Sequence, residues 1–166
     1  INIRLTVREL VSFGRFPYSQ GRLTKEDWEK VDQAIKYMKL EDIQHKYLDN
    51  LSGGQRQRAF IAMVIAQDTE YILLDEPLNN LDMKHSVDIM KTLRRLADEL
   101  NKTIIIVIHD INFASCYSDK IVILNNGKIA EEGCVDTILK EDVLEDIYKL
   151  KFCIQTVGNN KICVYY

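Results

Sequence analysis

The sequence predicts an α/β fold, with an α-helical region ahead of a parallel sheet and hairpins after it. Three observations predict it. The first fifty residues repeat their apolar positions at helical spacing. Two apolar runs, "YILLDEP" and "KTIIIVIHD", flank an amphipathic helix. Paired runs around turn residues then close the chain. At 166 residues there is room for a domain with a sizeable core, and 46% hydrophobic with 28% charged content is ordinary for a globular protein.

Taken in order, Thr6 with Glu9 makes a capping box that opens "VRELVSFG", and Gly14 is expected to close that helix. "RFPYSQGR" reads as a turn-rich loop. Thr24 caps "KEDWEKVDQAIKYMKL", where Trp28, Val31, Ile35 and Met38 share one face and are expected in the core. "EDIQHKYL" reads as a shorter helix with His45 exposed. Ser52 with Gln55 is a second capping box, which opens the helix of "GGQRQRAFIAMVIA". "YILLDEP" and "KTIIIVIHD" read as strands buried on both faces, as in parallel sheets, with Ile89, Leu93, Leu96 and Leu100 of the intervening helix turned inward. A short helix follows at "INFASCYSD". "KIVILNNGKIAEEG" is a hairpin around Asn126-Gly127, and helices near 135–149 precede a last hairpin.

Several function classes are excluded. A net charge of −3 argues against a nucleic-acid partner, and Arg56/Arg58 and Arg94/Arg95 sit among acidic or polar neighbours as solvated helix faces do. No apolar run approaches the roughly 20 residues that span a bilayer, and no signal peptide is visible at the start. Cys116, Cys134, Cys153 and Cys163 lack metal-site spacing and read as reduced thiols.

Chemistry concentrates at three places. In "LSGGQRQRAF" two glycines fill the first helical turn, where each costs roughly 1 kcal/mol against alanine; bare backbone is wanted there. Asp75 and Glu76 stand together at the carboxyl end of an apolar strand, a costly pairing unless a cation or substrate compensates. His109 ends the second apolar strand. If the two strands are neighbours, all three side chains converge at the sheet edge where ligands bind.

Read together, "LSGGQ" before a helix, "YILLDE", "NNLD" and a strand ending in histidine resemble the ATP-binding-cassette ATPases. "FGRFPYSQGRLTKED" and "DEPLNNLDM" look more particularly like the subunits that drive import of iron–siderophore, haem and vitamin B12. The resemblance implies a partial cassette ATPase with a RecA-like parallel sheet core. Residues 1–66 would be the helical subdomain ending in the signature motif and its helix. Residues 67–133 would be the core portion and 134–166 the closing helices and hairpin. Asp75 would hold Mg²⁺, Glu76 would polarise the attacking water, and His109 would contact the γ-phosphate. Ser52, Gly53, Gly54 and Gln55 would meet ATP at a helix N-terminus, whose dipole favours anions by up to ~2 kcal/mol. Asp82 would act across a two-fold dimer interface.

The implied partners are an integral-membrane permease and a second copy of the subunit, on the cytoplasmic face of the membrane as a peripheral protein. A substrate-binding protein would take part only indirectly. No G-x-x-x-x-G-K-[ST] occurs in the 166 residues, so phosphate cradling is not encoded in them. The resemblance places that loop, an adenine-stacking aromatic and a glutamine ahead of Ile1. The chain then looks like the C-terminal two-thirds of a subunit, inactive alone, with the edge of "TIIIVIH" left open to association. Two other readings stand beside this one. One is a non-transport cassette ATPase acting on DNA or ribosomes; the other is a non-catalytic module that pairs with a permease or another cassette.

Overall fold

The structure, a computed structural model, describes residues 4–166. Ile1, which the resemblance sets just after a glutamine, lies outside the described residues. The chain packs as two compact units, Ile1–Val107 and Ile108–Tyr166.

The first unit begins with helices. Thr6 accepts a hydrogen bond from the Glu9 amide and its own amide donates to the Glu9 carboxylate, which opens α1 (Val7–Ser12) as a capping box. Gly14 does not close this helix. It lies in a 3-10 turn, Phe13–Arg15, where an added Cβ would sit 2.2 Å from the Met63 carbonyl oxygen, so its bareness lets the turn press against a neighbouring helix. "RFPYSQGR" holds a single helical turn, α2 (Phe16–Ser19), before Gln20 turns left-handed. Thr24 and Asp27 form a box that starts α3 (Lys25–Tyr37). Val31, Ile35 and Met38 are buried as expected, while Trp28 is half-buried under the Arg8 guanidinium. "EDIQHKYL" is no continuous helix: it holds a 3-10 turn, Glu41–Ile43, has Tyr47 bridged to Thr6, and ends at the start of a second turn, Leu48–Asn50. His45 is exposed.

The helix α4 (Gly53–Ala66) packs on α1 and α3. Buried Arg15 ties these parts together. Its Nε donates to Asp27 at 2.9 Å and its Nη1 to the Ala66 carbonyl at 3.0 Å, which satisfies a terminal carbonyl of α4. Asp68 follows, held by Lys30 and Lys102 at 2.8 Å each. Burial pushes its carboxyl up, but the two ammonium donors outweigh that and hold it below the usual range.

β1 (Tyr71–Asp75) and β2 (Thr103–Val107) pair in parallel through α5 (Met83–Leu100), the expected crossover. Burial on both faces is corrected. Ile72 and Leu74 turn inward, but Tyr71, Leu73, Ile105 and Val107 share an exposed face, because nothing among the described residues of this unit lies over it. On α5, Ile89, Leu93 and Leu96 are buried, whereas Leu100 at the last turn is 41% exposed.

In the second unit Asp110 caps α6 (Ile111–Tyr117). β3 (Lys120–Asn125) and β4 (Lys128–Cys134) form the hairpin around Asn126-Gly127. Two short helices, α7 (Val135–Ile138) and α8 (Glu141–Tyr148), precede the hairpin of β5 (Phe152–Val157) and β6 (Asn160–Tyr165). Ile123, Ile138, Leu139, Leu144, Phe152 and Cys163 make its core. The Asn112 side chain both donates to and accepts from the Cys163 backbone, which docks α6 on the edge of β6. None of the described helices is long and apolar enough to cross a membrane.

Candidate functional site

The start of α4 is built from four residues. Ser52 Oγ accepts from the Gln55 amide at 3.3 Å, and Gln55 Oε1 accepts from the Ser52 amide at 3.0 Å. The Arg56 amide donates to the Ser52 carbonyl at 2.9 Å. Helix geometry and this box together leave the amides of Gly53 and Gly54 for something outside. Ser52 is exposed, and its hydroxyl, having accepted one bond, keeps a proton to donate. The two glycines differ. A Cβ on Gly53 would meet nothing within 4 Å, so that side of the turn is an open cradle for an anion. A Cβ on Gly54 would come 3.0 Å from Cδ2 of His85.

The strand end carries the carboxylates. The register sets Asp75 opposite Val107, at the last rung of the parallel pair, and Asp75 is exposed. Glu76 follows in a left-handed conformation, φ 47°, which bulky side chains seldom adopt. Its amide donates to the Val107 carbonyl at 3.1 Å, which fixes the turn off the strand. Asn79 donates its side-chain amide to a Glu76 carboxylate oxygen and its backbone amide to the Glu76 carbonyl.

Asp82 caps α5. One carboxylate oxygen accepts from the His85 amide at 2.9 Å and the other from His85 Nδ1 at 2.7 Å. The hydrogen bond from the His85 amide, then that from its ring, holds the Asp82 carboxyl below its ordinary pKa. Sequence reasoning singled out Asp82 and missed His85. The signal was there: a polar side chain three residues after an N-cap aspartate is placed to close on it.

The first unit therefore holds Ser52, Gly53, Gly54, Gln55, Asp75, Glu76 and Asp82. Through Gly54 and His85 it brings the start of α4 against the start of α5. His109 is exposed, two residues past β2, and stands at the start of the second unit.

A divalent cation can be tested against this donor set. Among the described residues no group of three or more His, Cys, Asp or Glu side chains gathers as a closed metal site. One strand-end carboxylate fits Mg²⁺ nonetheless, because that ion keeps several waters and takes one or two carboxylates plus phosphate oxygens.

Comparison with known proteins places the chain. The sequence profile of the ABC transporter family matches residues 1–79. The petrobactin import ATP-binding protein YclP of Bacillus subtilis (strain 168) is 70% identical over all 166 residues. The petrobactin import ATP-binding protein FatE of Bacillus anthracis is 53% identical over 162 residues, 98% of this chain. The ferric enterobactin transport ATP-binding protein FepC of Escherichia coli (strain K12) is 41% identical over 152 residues, 90% of this chain. The chain spans 66%, 65% and 56% of the length of these three relatives, in their C-terminal part. Among solved structures, an inward-facing putative metal-chelate type ABC transporter superposes over the whole chain and 69% of its own, with a TM-score of 0.90 at 26% identity. The dimeric cassette MJ0796 matches 79% of this chain and 57% of its own at 34% identity, with a TM-score of 0.67.

Proposed function

The chain belongs to the ABC transporter ATP-binding family, and from that premise we propose that it supplies the signature and carboxylate parts of an import ATPase for iron–siderophore complexes. The observation that carries this reading is the open, capped start of α4 with Gly53 bare toward solvent, in the same unit as a strand that ends in Asp75 with Glu76 in the turn after it.

In this reading the Gly53 and Gly54 amides and the Ser52 hydroxyl grip the terminal phosphate of an ATP held by another subunit, and Gln55 locks Ser52 in place. The Glu76 carboxylate, restrained by Asn79, accepts the proton of the attacking water. His109, at the start of the second unit, would contact a terminal phosphate. Asp75 would hold Mg²⁺, which would supply neutralisation of the charge on the phosphate oxygens. Asp82 lies at the junction between the two copies.

Closure of two such subunits around ATP would then move a permease. The exposed Phe16 and Tyr18, carried on the turn held by Arg15, suit the helical region to contact it. Siderophore import is favoured over action on DNA or ribosomes by the petrobactin and enterobactin relatives. The functional segments 1–66, 67–133 and 134–166 and the peripheral position on the cytoplasmic face belong to the same proposal.

The test uses a subunit of the relatives' full length. Glu76→Gln is expected to keep ATP binding while turnover falls by roughly 10²–10⁴-fold, the usual contribution of a general base. Turnover within threefold of the parent in a phosphate-release assay would show that Glu76 is not the base.

A further inference from the structure

The two glycines of the α4 start answer to different neighbours. Gly53 faces open space, whereas the imidazole of His85 sits over Gly54, with Cδ2 3.0 Å and Cγ 3.2 Å from where a Cβ would be. The ring is not loose. Asp82 commits one oxygen to the His85 amide and the other to its Nδ1, at 2.9 and 2.7 Å. The Ser86 hydroxyl further donates to the Asp82 carbonyl at 3.0 Å. A capped helix start thus holds a ring against the bare backbone of another helix start.

We infer that His85 is a positioning residue. Acting through Gly54, it locks the N-terminus of α4 to the N-terminus of α5, so that Ser52, Gly53 and Gly54 meet the nucleotide of the other subunit, and Asp82 the junction beside it, as one rigid surface. Gly54 is then bare to admit the ring behind it, while its amide, like that of Gly53, stays open to phosphate. The division has a physical basis. Interior contacts closer than ordinary van der Waals distance force a shift of one element. A shift of α4 by even a few tenths of an ångström re-aims amides that must align with an anion at hydrogen-bond range.

The inference rests on the ATPase reading, and one experiment separates the two. In a full-length subunit carrying Glu76→Gln to halt turnover, the ATP concentration for half-maximal dimerisation is measured by light scattering, alongside the thermal midpoint of each variant. His85→Ala is expected to raise that concentration about tenfold, in the range of couplings between residues in contact. His85→Asn, which keeps a donor for Asp82, is expected to recover most of the loss. Gly54→Ala is expected to impair dimerisation more severely, and His85→Ala added to it to restore at least threefold, because the clash partner is gone. That rescue is the outcome that generic destabilisation does not produce.

If His85→Ala shifts the midpoint concentration by less than twofold, or if Gly54→Ala is no better with His85→Ala than without it, the positioning role is overturned. The bareness of Gly54 would then serve the nucleotide directly. A parent that fails to dimerise with ATP at all overturns the ATPase reading, and this role with it.

Discussion

At the start of α4 the capping groups are paired and an imidazole covers one glycine. On the outer face of β1–β2, in the same unit, Tyr71, Leu73, Ile105 and Val107 are exposed, with Leu73 at 69%. The first region is finished by two local pairs, Ser52 with Gln55 and Asp82 with His85, and by the one contact of His85 with Gly54 that joins them. The second is a sheet face, and a face of two strands has no local means of covering itself. The contrast teaches where this chain's chemistry is self-sufficient. Its signature and carboxylate turns carry their own supports, while its sheet depends on further layers to bury the other side of each strand.

The largest effect expected from this contrast comes from setting the buried side of the crossover helix against the exposed face of the strand pair. Leu96→Ala, which empties a fully buried site on α5, should cost about 2–5 kcal/mol of stability in urea denaturation. Leu73→Ala should change it by less than about 0.5 kcal/mol, as exposed sites do. Comparable losses at both would break the comparison. They would mean that the outer face is buried in solution, and concentration-dependent light scattering would then trace the burial to association along the open strand.

A smaller effect sharpens the account of what joins the helices to the sheet. Asp68 is bonded to Lys30 of α3 and to Lys102 before β2, and its carboxyl is held below the ordinary range. A depressed carboxyl stabilises the fold above its unfolded pKa, near 3.9, and that contribution is lost as pH falls through the lower folded value. Because Asp68 is 40% exposed, the bonds are screened, and Asp68→Asn should cost about 1 kcal/mol or less near neutrality. Urea midpoints measured from neutral to acid pH should converge for parent and variant. A gap that persists once acid has protonated the folded-state carboxyl would assign the loss to packing and not to charge.

Much of the fold was legible in the sequence, and for identifiable reasons. Thr6, Thr24 and Ser52 each cap a helix as read, because a capping box is a four-residue signal that needs no tertiary context. Asn126-Gly127 turned its hairpin on the same grounds. The misreadings share a different cause. Gly14 looked like a helix stop, yet it answers to Met63 some fifty residues away, a contact that no local pattern announces. "EDIQHKYL" broke into 3-10 turns because Tyr47 pairs with Thr6. Apolar strands were read as doubly buried because every position in "YILL" and "TIIIV" is apolar or β-branched, and such a run does not say which layers are present to cover it. At the site, the motif residues stood out while His85 did not, since its role is fixed by a ring meeting a glycine from another helix.

The central claim is that this chain holds one part of a nucleotide site whose phosphate cradle is not encoded in its 166 residues. The most direct test is isothermal titration of the 166-residue chain with Mg·ATP. The account predicts no binding heat at micromolar concentrations, since two amides, a hydroxyl and a carboxylate give an anion few contacts against the cost of association. A micromolar dissociation constant would contradict it, because these residues would then suffice to hold the nucleotide without a partner.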